Sequence, residues 1–168
     1  LSPYTKVKLV GAGIEYRSVK PASRSSRLNA GRSEFPLNAT QKSKLEIMVR
    51  EVFLEELAKN TYYEVVTEDG ADVLSLTGAL LDIVSNIPPD PIGRGGVYLS
   101  EFGAATLVTE LRDSQSGEIF VRSIDRQNAE SAFMREATRG MNMSEVKLAV
   151  RHWARALTAG LDKLHDIK

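Results

Sequence analysis

The chain reads as an α+β protein, a two-layer sandwich in which a mostly antiparallel sheet of about five strands carries two helices on one face. Three observations predict this. Apolar residues alternate at period two in several separate stretches, they recur at three- and four-residue steps in two others, and the stretches follow in the order β-α-β-β-β-β-α. A length of 168 residues, 42% of them apolar, is enough to bury one core, so residues 1–168 are expected to form a single soluble domain.

The first strand is expected in Val7 to Val19, where Val10, Ala12, Ile14 and Tyr16 fall at period two with Glu15 and Arg17 on the other face. From Lys20 to Pro36 apolar residues thin out and Ser, Pro and Gly dominate, which predicts a loop. Thr40 is the expected N-cap of a helix from Gln41 to Lys59. Its apolar stripe is Leu45, Met48, Val49, Val52, Phe53 and Leu57, and Lys42, Lys44, Arg50 and Glu55 face water.

Tyr62 to Val66 and Ala71 to Val84 then read as strands. In the second, Leu74, Leu76 and Leu80 occupy one face and Val73, Thr77, Leu81 and Ile83 the other, the pattern of a central strand covered on both sides. Three prolines and three glycines between Ile87 and Gly96 exclude helix and interior strand, so an excursion from the sheet edge is expected there. Val97 to Arg112 and Glu118 to Asn128 form a hairpin around Asp113-Ser114-Gln115-Ser116-Gly117, with Gly117 suited to positive φ. Ala129 to Met143 is weakly patterned. Ser144 is the expected cap of a last helix docked through Val146, Val150, Trp153, Leu157, Leu161 and Leu164.

Composition removes several function classes. The 22 basic and 22 acidic residues cancel, so global steering to nucleic acid is disfavoured and no nucleic-acid partner is expected. The absence of cysteine excludes disulfides, thiolate nucleophiles and zinc ribbons from this chain. No apolar run approaches the roughly 18 to 20 residues of a membrane helix. Leu1-Ser2-Pro3-Tyr4 lacks the layout of a signal peptide, and residue 1 reads as a cut site.

Motifs for chemistry are sparse. Val10-Gly11-Ala12-Gly13 follows strand character, but Tyr16 stands where a dinucleotide loop needs its third glycine, so the glycines are expected to relieve crowding in a strand. Gly93-Arg94-Gly95-Gly96 lacks the Lys-Ser/Thr pair of a phosphate loop. His152 and His165 lie 13 positions apart on one helix and turn away from each other, so no metal site and no cofactor is expected. No Gly-x-Ser-x-Gly elbow is present. Glu55-Glu56 and Glu68-Asp69 read as solvated charge. Glu110, Arg112, Asp113, Glu118, Arg122, Asp125 and Arg126 read as cross-strand pairs on the hairpin, each worth about a few tenths of a kcal/mol.

The most distinctive charge feature is Arg17 to Arg32, where Arg17, Lys20, Arg24, Arg27 and Arg32 are uninterrupted by any acid, set against the acidic stretch Glu64 to Asp72. Arginine forks suit phosphate and carboxylate. Arg24, Arg27 and Arg32, with Arg94 in the Pro/Gly excursion, are therefore the candidate ligand-binding residues.

Ser18 to Pro36, the strand start Ala71-Asp72-Val73-Leu74, and Val108-Thr109-Glu110-Leu111-Arg112-Asp113-Ser114-Gln115-Ser116-Gly117-Glu118-Ile119 together resemble an uncharacterised family of envelope lipoproteins of Gram-negative bacteria, domain-of-unknown-function family 3313, which is similar to other small α/β envelope lipoproteins. The resemblance implies a precursor with a signal peptide and a lipid-modified cysteine, neither of which is in this chain. It further implies a domain held at a membrane on the periplasmic side of the envelope. It carries no catalytic residues.

Three readings follow. The first is a non-enzymatic module that binds an envelope protein or cell-wall component. The second is a binder of a small anionic or amphipathic ligand through the arginine-rich loop. The third is an envelope enzyme with a buried constellation around Asp72, Asp82 or His152. A homo-oligomer is also expected, because helices on one face leave the other face of the sheet in need of cover.

Overall fold

The computed structural model describes residues 3–19, 34–87, 98–136 and 139–166. Among them the order is β1 (Lys6–Tyr16), α1 (Ala39–Leu57), β2 (Glu64–Val66), β3 (Val73–Ser85), β4 (Tyr98–Asp113), β5 (Ile119–Glu136) and α2 (Arg139–Asp166). The strands form one mixed sheet in the order β2-β1-β3-β4-β5. The α+β sandwich and its element order are those the periodicity predicts.

The two longest ladders, β3 with β4 and β4 with β5, are antiparallel, whereas β1 lies parallel to both β2 and β3. The reason is α1. A parallel neighbour needs a crossover of a dozen or more residues, and the segment carrying α1 returns the chain to the end of the sheet where β1 began.

Both helices cover the same face. Leu45, Met48, Val52 and Phe53 of α1 and Val150, Trp153 and Ala154 of α2 bury against Leu80, Ile83 and Leu107. A second cluster joins Leu57 and Leu161 to Val7, Leu74, Leu76 and Leu111. No helix among the described residues is long and apolar enough to cross a membrane.

Four local expectations are corrected. Asn38, not Thr40, caps α1: its Oδ1 accepts from the Gln41 N–H at 2.9 Å and Gln41 Oε1 accepts from the Asn38 N–H at 2.8 Å, a reciprocal capping box. Ser144 lies inside α2, which starts at Arg139. The stretch after Asn128 continues β5, because Tyr98 and Leu99 of β4 pair with Glu136 and Arg135; the partner strand, not the local alternation, decides it.

The fourth concerns β3. Its register against β4 shifts between Leu81 and Val84, and Asp82 sits there at φ 54. This bulge returns Ile83 to the helix side, where strict alternation would exclude it. Beyond the pleat, Ser75, Thr77, Ala79 and Leu81 remain half-exposed. Among the described residues β3 is thus covered on one face.

Candidate functional sites on the two faces of the sheet

The four candidate arginines, Arg24, Arg27, Arg32 and Arg94, lie outside the described residues. The structure does describe the flanks of the arginine-bearing segment. Tyr16, Arg17, Ser18 and Val19 on one side and Phe35 and Pro36 on the other border a cavity of about 340 Å³, with Lys42 beside it. Lys42 Nζ lies 4.4 Å from the centroid of the Tyr16 ring, a cation–π contact.

Arg17 is not free to meet a ligand. Its Nε donates to Asp82 Oδ1 at 2.6 Å, a second nitrogen meets the other oxygen of that carboxylate, and Nη1 pairs with Glu34. Arg126 Nη1 joins Asp82 Oδ2 at 2.9 Å. The hydrogen bond from Arg17, reinforced by Arg126, holds the Asp82 carboxyl down at about 2. The bulge places Asp82 where Arg17, just past the end of β1, and Arg126 of β5 converge, so one strained residue ties β3 to its neighbours on both sides.

These contacts belong to the face turned away from the helices. Register lays three rows across it: Val10-Thr77-Glu110-Arg122, then Gly13-Ala79-Val108-Ile124, then Leu81-Thr106-Arg126. Glu110 is gripped by Arg112 and by Arg122, whose Nε donates to Glu110 Oε1 at 2.6 Å, and both bonds lower its pKa. Of the cross-strand pairs expected on the hairpin, Glu110–Arg122 is present; Arg112 meets Glu110 on its own strand, Arg126 turns to Asp82 of β3, and Asp113 and Asp125 bond Tyr4 and Trp153 instead. The middle row is left apolar and small, and it ends in Ile124 at 69% exposure.

Other sequence candidates separate. Asp72, at the start of β3, pairs with Lys6 at 2.9 Å, while Asp82 is near the other end of that strand. His152 is exposed on α2, across the sheet from Asp82. The residues on which an enzymatic constellation would rest are therefore not brought together. His165 stacks on Tyr62 with centroids 4.5 Å apart. Among the described residues no group of three or more His, Asp or Glu is placed to hold a metal ion.

Glu56 corrects another reading. It is 4% exposed rather than solvated, takes a 2.8 Å bond from Lys59, and lies 3.3 Å from Arg151 and 3.5 Å from Arg155. The bond from Lys59 is the main cause of its lowered pKa. Its helical position, one residue before the buried Leu57, was the available signal: a carboxylate on that border faces the second helix, and α2 answers with two arginines.

The helix-facing side holds a feature that motif reading missed. Between α1 and strands β1, β3 and β4 lies a cavity of about 380 Å³ whose floor includes Gly11, Gly78 and Thr109. Glycine in two strands was the only sequence signal for it.

No family model matches the chain, and no curated protein is similar to it. Among solved structures it is similar to a protein of domain-of-unknown-function family 330 from Xanthomonas campestris, at 10% identity over 96% of this chain and 89% of that one, with a TM-score of 0.53. It is also similar to a minor lipoprotein from Acinetobacter baumannii, at 10% identity over 94% and 92% with a TM-score of 0.41. A third likeness is to the PelC dodecamer from Paraburkholderia phytofirmans, at 10% identity over 94% and 89% with a TM-score of 0.40. At these identities likeness speaks of architecture, and the Xanthomonas campestris protein shares this chain's α+β fold.

Proposed function

We propose that the chain is the globular part of a bacterial envelope lipoprotein, of the kind that Ser18–Pro36 and Val108–Ile119 resemble, and that it works as a non-enzymatic module binding a protein partner on the uncovered face of its sheet. The observation that carries this reading is the row Gly13-Ala79-Val108-Ile124. An apolar centre with a polar rim is the ordinary composition of an interface. Here the rim is fixed in advance: Glu110–Arg122 lies on one side and Asp82–Arg126 on the other, each already paired. A partner laid on this row covers Ile124 without having to desolvate an unpaired charge.

The test is a photo-reactive side chain at position 124 in the full-length protein in its host, with Leu148, exposed on α2, as the control position. One protein adduct from 124 and none from 148 is expected. A self-adduct would assign the face to a homo-oligomer, and an adduct to glycan strands would assign it to the cell wall; either outcome, or no adduct, overturns the protein partner.

A second reading has its own observation. The cavity of about 340 Å³ at the base of segment 20–33 has Lys42 on its wall. It supports an anionic ligand held by Arg24, Arg27, Arg32 and Arg94. Calorimetry with inorganic pyrophosphate tests it, binding being lost when the three loop arginines are replaced by alanine.

A further inference from the structure

The cavity under α1 exists because side chains are missing from one row of the sheet. Gly11 pairs with Gly78 and Gly78 with Thr109, so three neighbouring strands place almost no bulk at that level. A Cβ built on Gly11 or Gly78 meets nothing within 4 Å. The adjoining rows carry Leu9 and Leu76 on one side and Leu80 and Leu107 on the other, while Phe53 and Leu157 close the roof. Interiors leave few voids larger than a water molecule. An apolar cavity of about 150 Å³ already accepts a benzene-sized guest, and ligand pockets begin near about 300 Å³. This one, at about 380 Å³, is of ligand size.

Two polar groups give it direction. Thr109 is 7% exposed, lines the cavity, and its hydroxyl has no hydrogen-bond partner among the described residues. A hydroxyl on the wall that makes no bond within the protein is open to a guest that fills the cavity. At the other end Gly11, Gly13, Glu46 and Arg50 are exposed residues of the wall. They place the mouth between α1 and the edge of β1, which β2 covers only along Lys6 to Lys8. Glu46 is occupied, accepting from the Tyr16 hydroxyl at 3.2 Å. Arg50 makes no ion pair among the described residues. From β1 to β4 is two strand spacings, about 10 Å.

We propose that this cavity binds an elongated apolar carboxylate bearing a hydroxyl at its inner end. The chain lies over the Gly11–Gly78 row, the carboxylate meets Arg50 at the mouth, and the inner hydroxyl bonds Thr109 Oγ1. The site is on the opposite side of the sheet from the Ile124 row and stands independently of that reading.

Titration calorimetry with 10-hydroxydecanoate and decanoate on the intact chain tests it. The hydroxylated probe is expected to bind several-fold tighter, one hydrogen bond's worth. Thr109→Val should erase that preference while leaving decanoate binding intact. Arg50→Ala should weaken both probes about tenfold, as loss of a charged hydrogen bond does. Gly78→Leu, which fills the floor, should abolish both; Gly78→Ala, the smaller step, should weaken both if the leucine variant does not fold. No binding to the native chain, equal affinity for the two probes, or binding that survives a folded Gly78→Leu variant overturns the proposal.

Discussion

The indole Nε1 of Trp153 donates a 2.7 Å hydrogen bond to Oδ2 of Asp125, joining the middle of α2 to β5. Trp153 is the only tryptophan of the chain and is 5% exposed. Its ring packs in the larger core cluster, while its polar edge reaches a carboxylate on the helix-facing side of the last strand. Trp153→Phe keeps an aromatic ring but leaves Asp125 without that donor. Asp125 is exposed and also accepts from Gln127, so water replaces the lost donor and the expected loss is about 0.5 to 1.5 kcal/mol, the net worth of one hydrogen bond. Urea titration followed by circular dichroism measures it, and a loss below about 0.5 kcal/mol, the level of an indifferent surface change, would rule out a structural role for the bond.

That pair also marks how far the sequence can be read. Trp153 is legible as one member of an apolar stripe and Asp125 as one of several alternating charges, but nothing in either segment says that they meet. Periods of 3.6 and 2 are local, so the order of elements, the stripe of α1 and the two faces of β4 are visible in the chain itself. Bulges are not local. Asp82 breaks the alternation only because β4 offers its own residues at a shifted register, and Ile83 changes face with it. The floor of the interlayer cavity is equally hidden, since Gly11, Gly78 and Thr109 become neighbours only through strand order. The N-cap is legible as well: Asn38-Ala39-Thr40-Gln41 carries the Asn-x-x-Gln spacing of a capping box, two residues before Thr40. Of the four arginines singled out for ligand binding, none falls among the described residues.

Gly103 is placed by contact rather than by a special backbone angle. A Cβ at this position would stand 2.5 Å from the Val84 carbonyl oxygen. That oxygen belongs to the backbone just past the Asp82 bulge and has nowhere to rotate. Gly103→Ala must therefore push β3 and β4 apart locally, at a cost of about 1 to 3 kcal/mol. The thermal midpoint should fall accordingly. An unchanged midpoint would mean that the two strands separate freely at this end.

Asp82 makes stability depend on pH in one direction. Its carboxyl, held by Arg17 and then by Arg126, titrates at about 2 in the folded chain, against about 3.9 when unfolded. A depressed native value favours folding above the unfolded value, and that contribution fades as pH falls through the folded one. Asp82→Asn removes the charge and keeps a residue that tolerates positive φ. The gap in melting temperature between native and variant chains should be level from about pH 7 to about pH 5 and should close between about 4 and about 2. A gap that widens on acidification contradicts the assignment.

Thr109 offers the converse case, a substitution that should stabilise. The residue is 7% exposed on the helix-facing side of β4, and its hydroxyl stands on the cavity wall bonding no described residue, so the unliganded protein gains no internal hydrogen bond from it. Valine has nearly the same shape, sets a methyl in place of the hydroxyl against an apolar wall, and its β-branch suits a strand. Thr109→Val is therefore expected to raise stability by about 0.5 to 1 kcal/mol, the gain from burying one more apolar group in a nearly buried strand position. Differential scanning calorimetry at neutral pH measures it without any ligand. A lower midpoint would show that the hydroxyl already has a partner in the free protein, and with it the inner end of the cavity would lose its claim on a ligand.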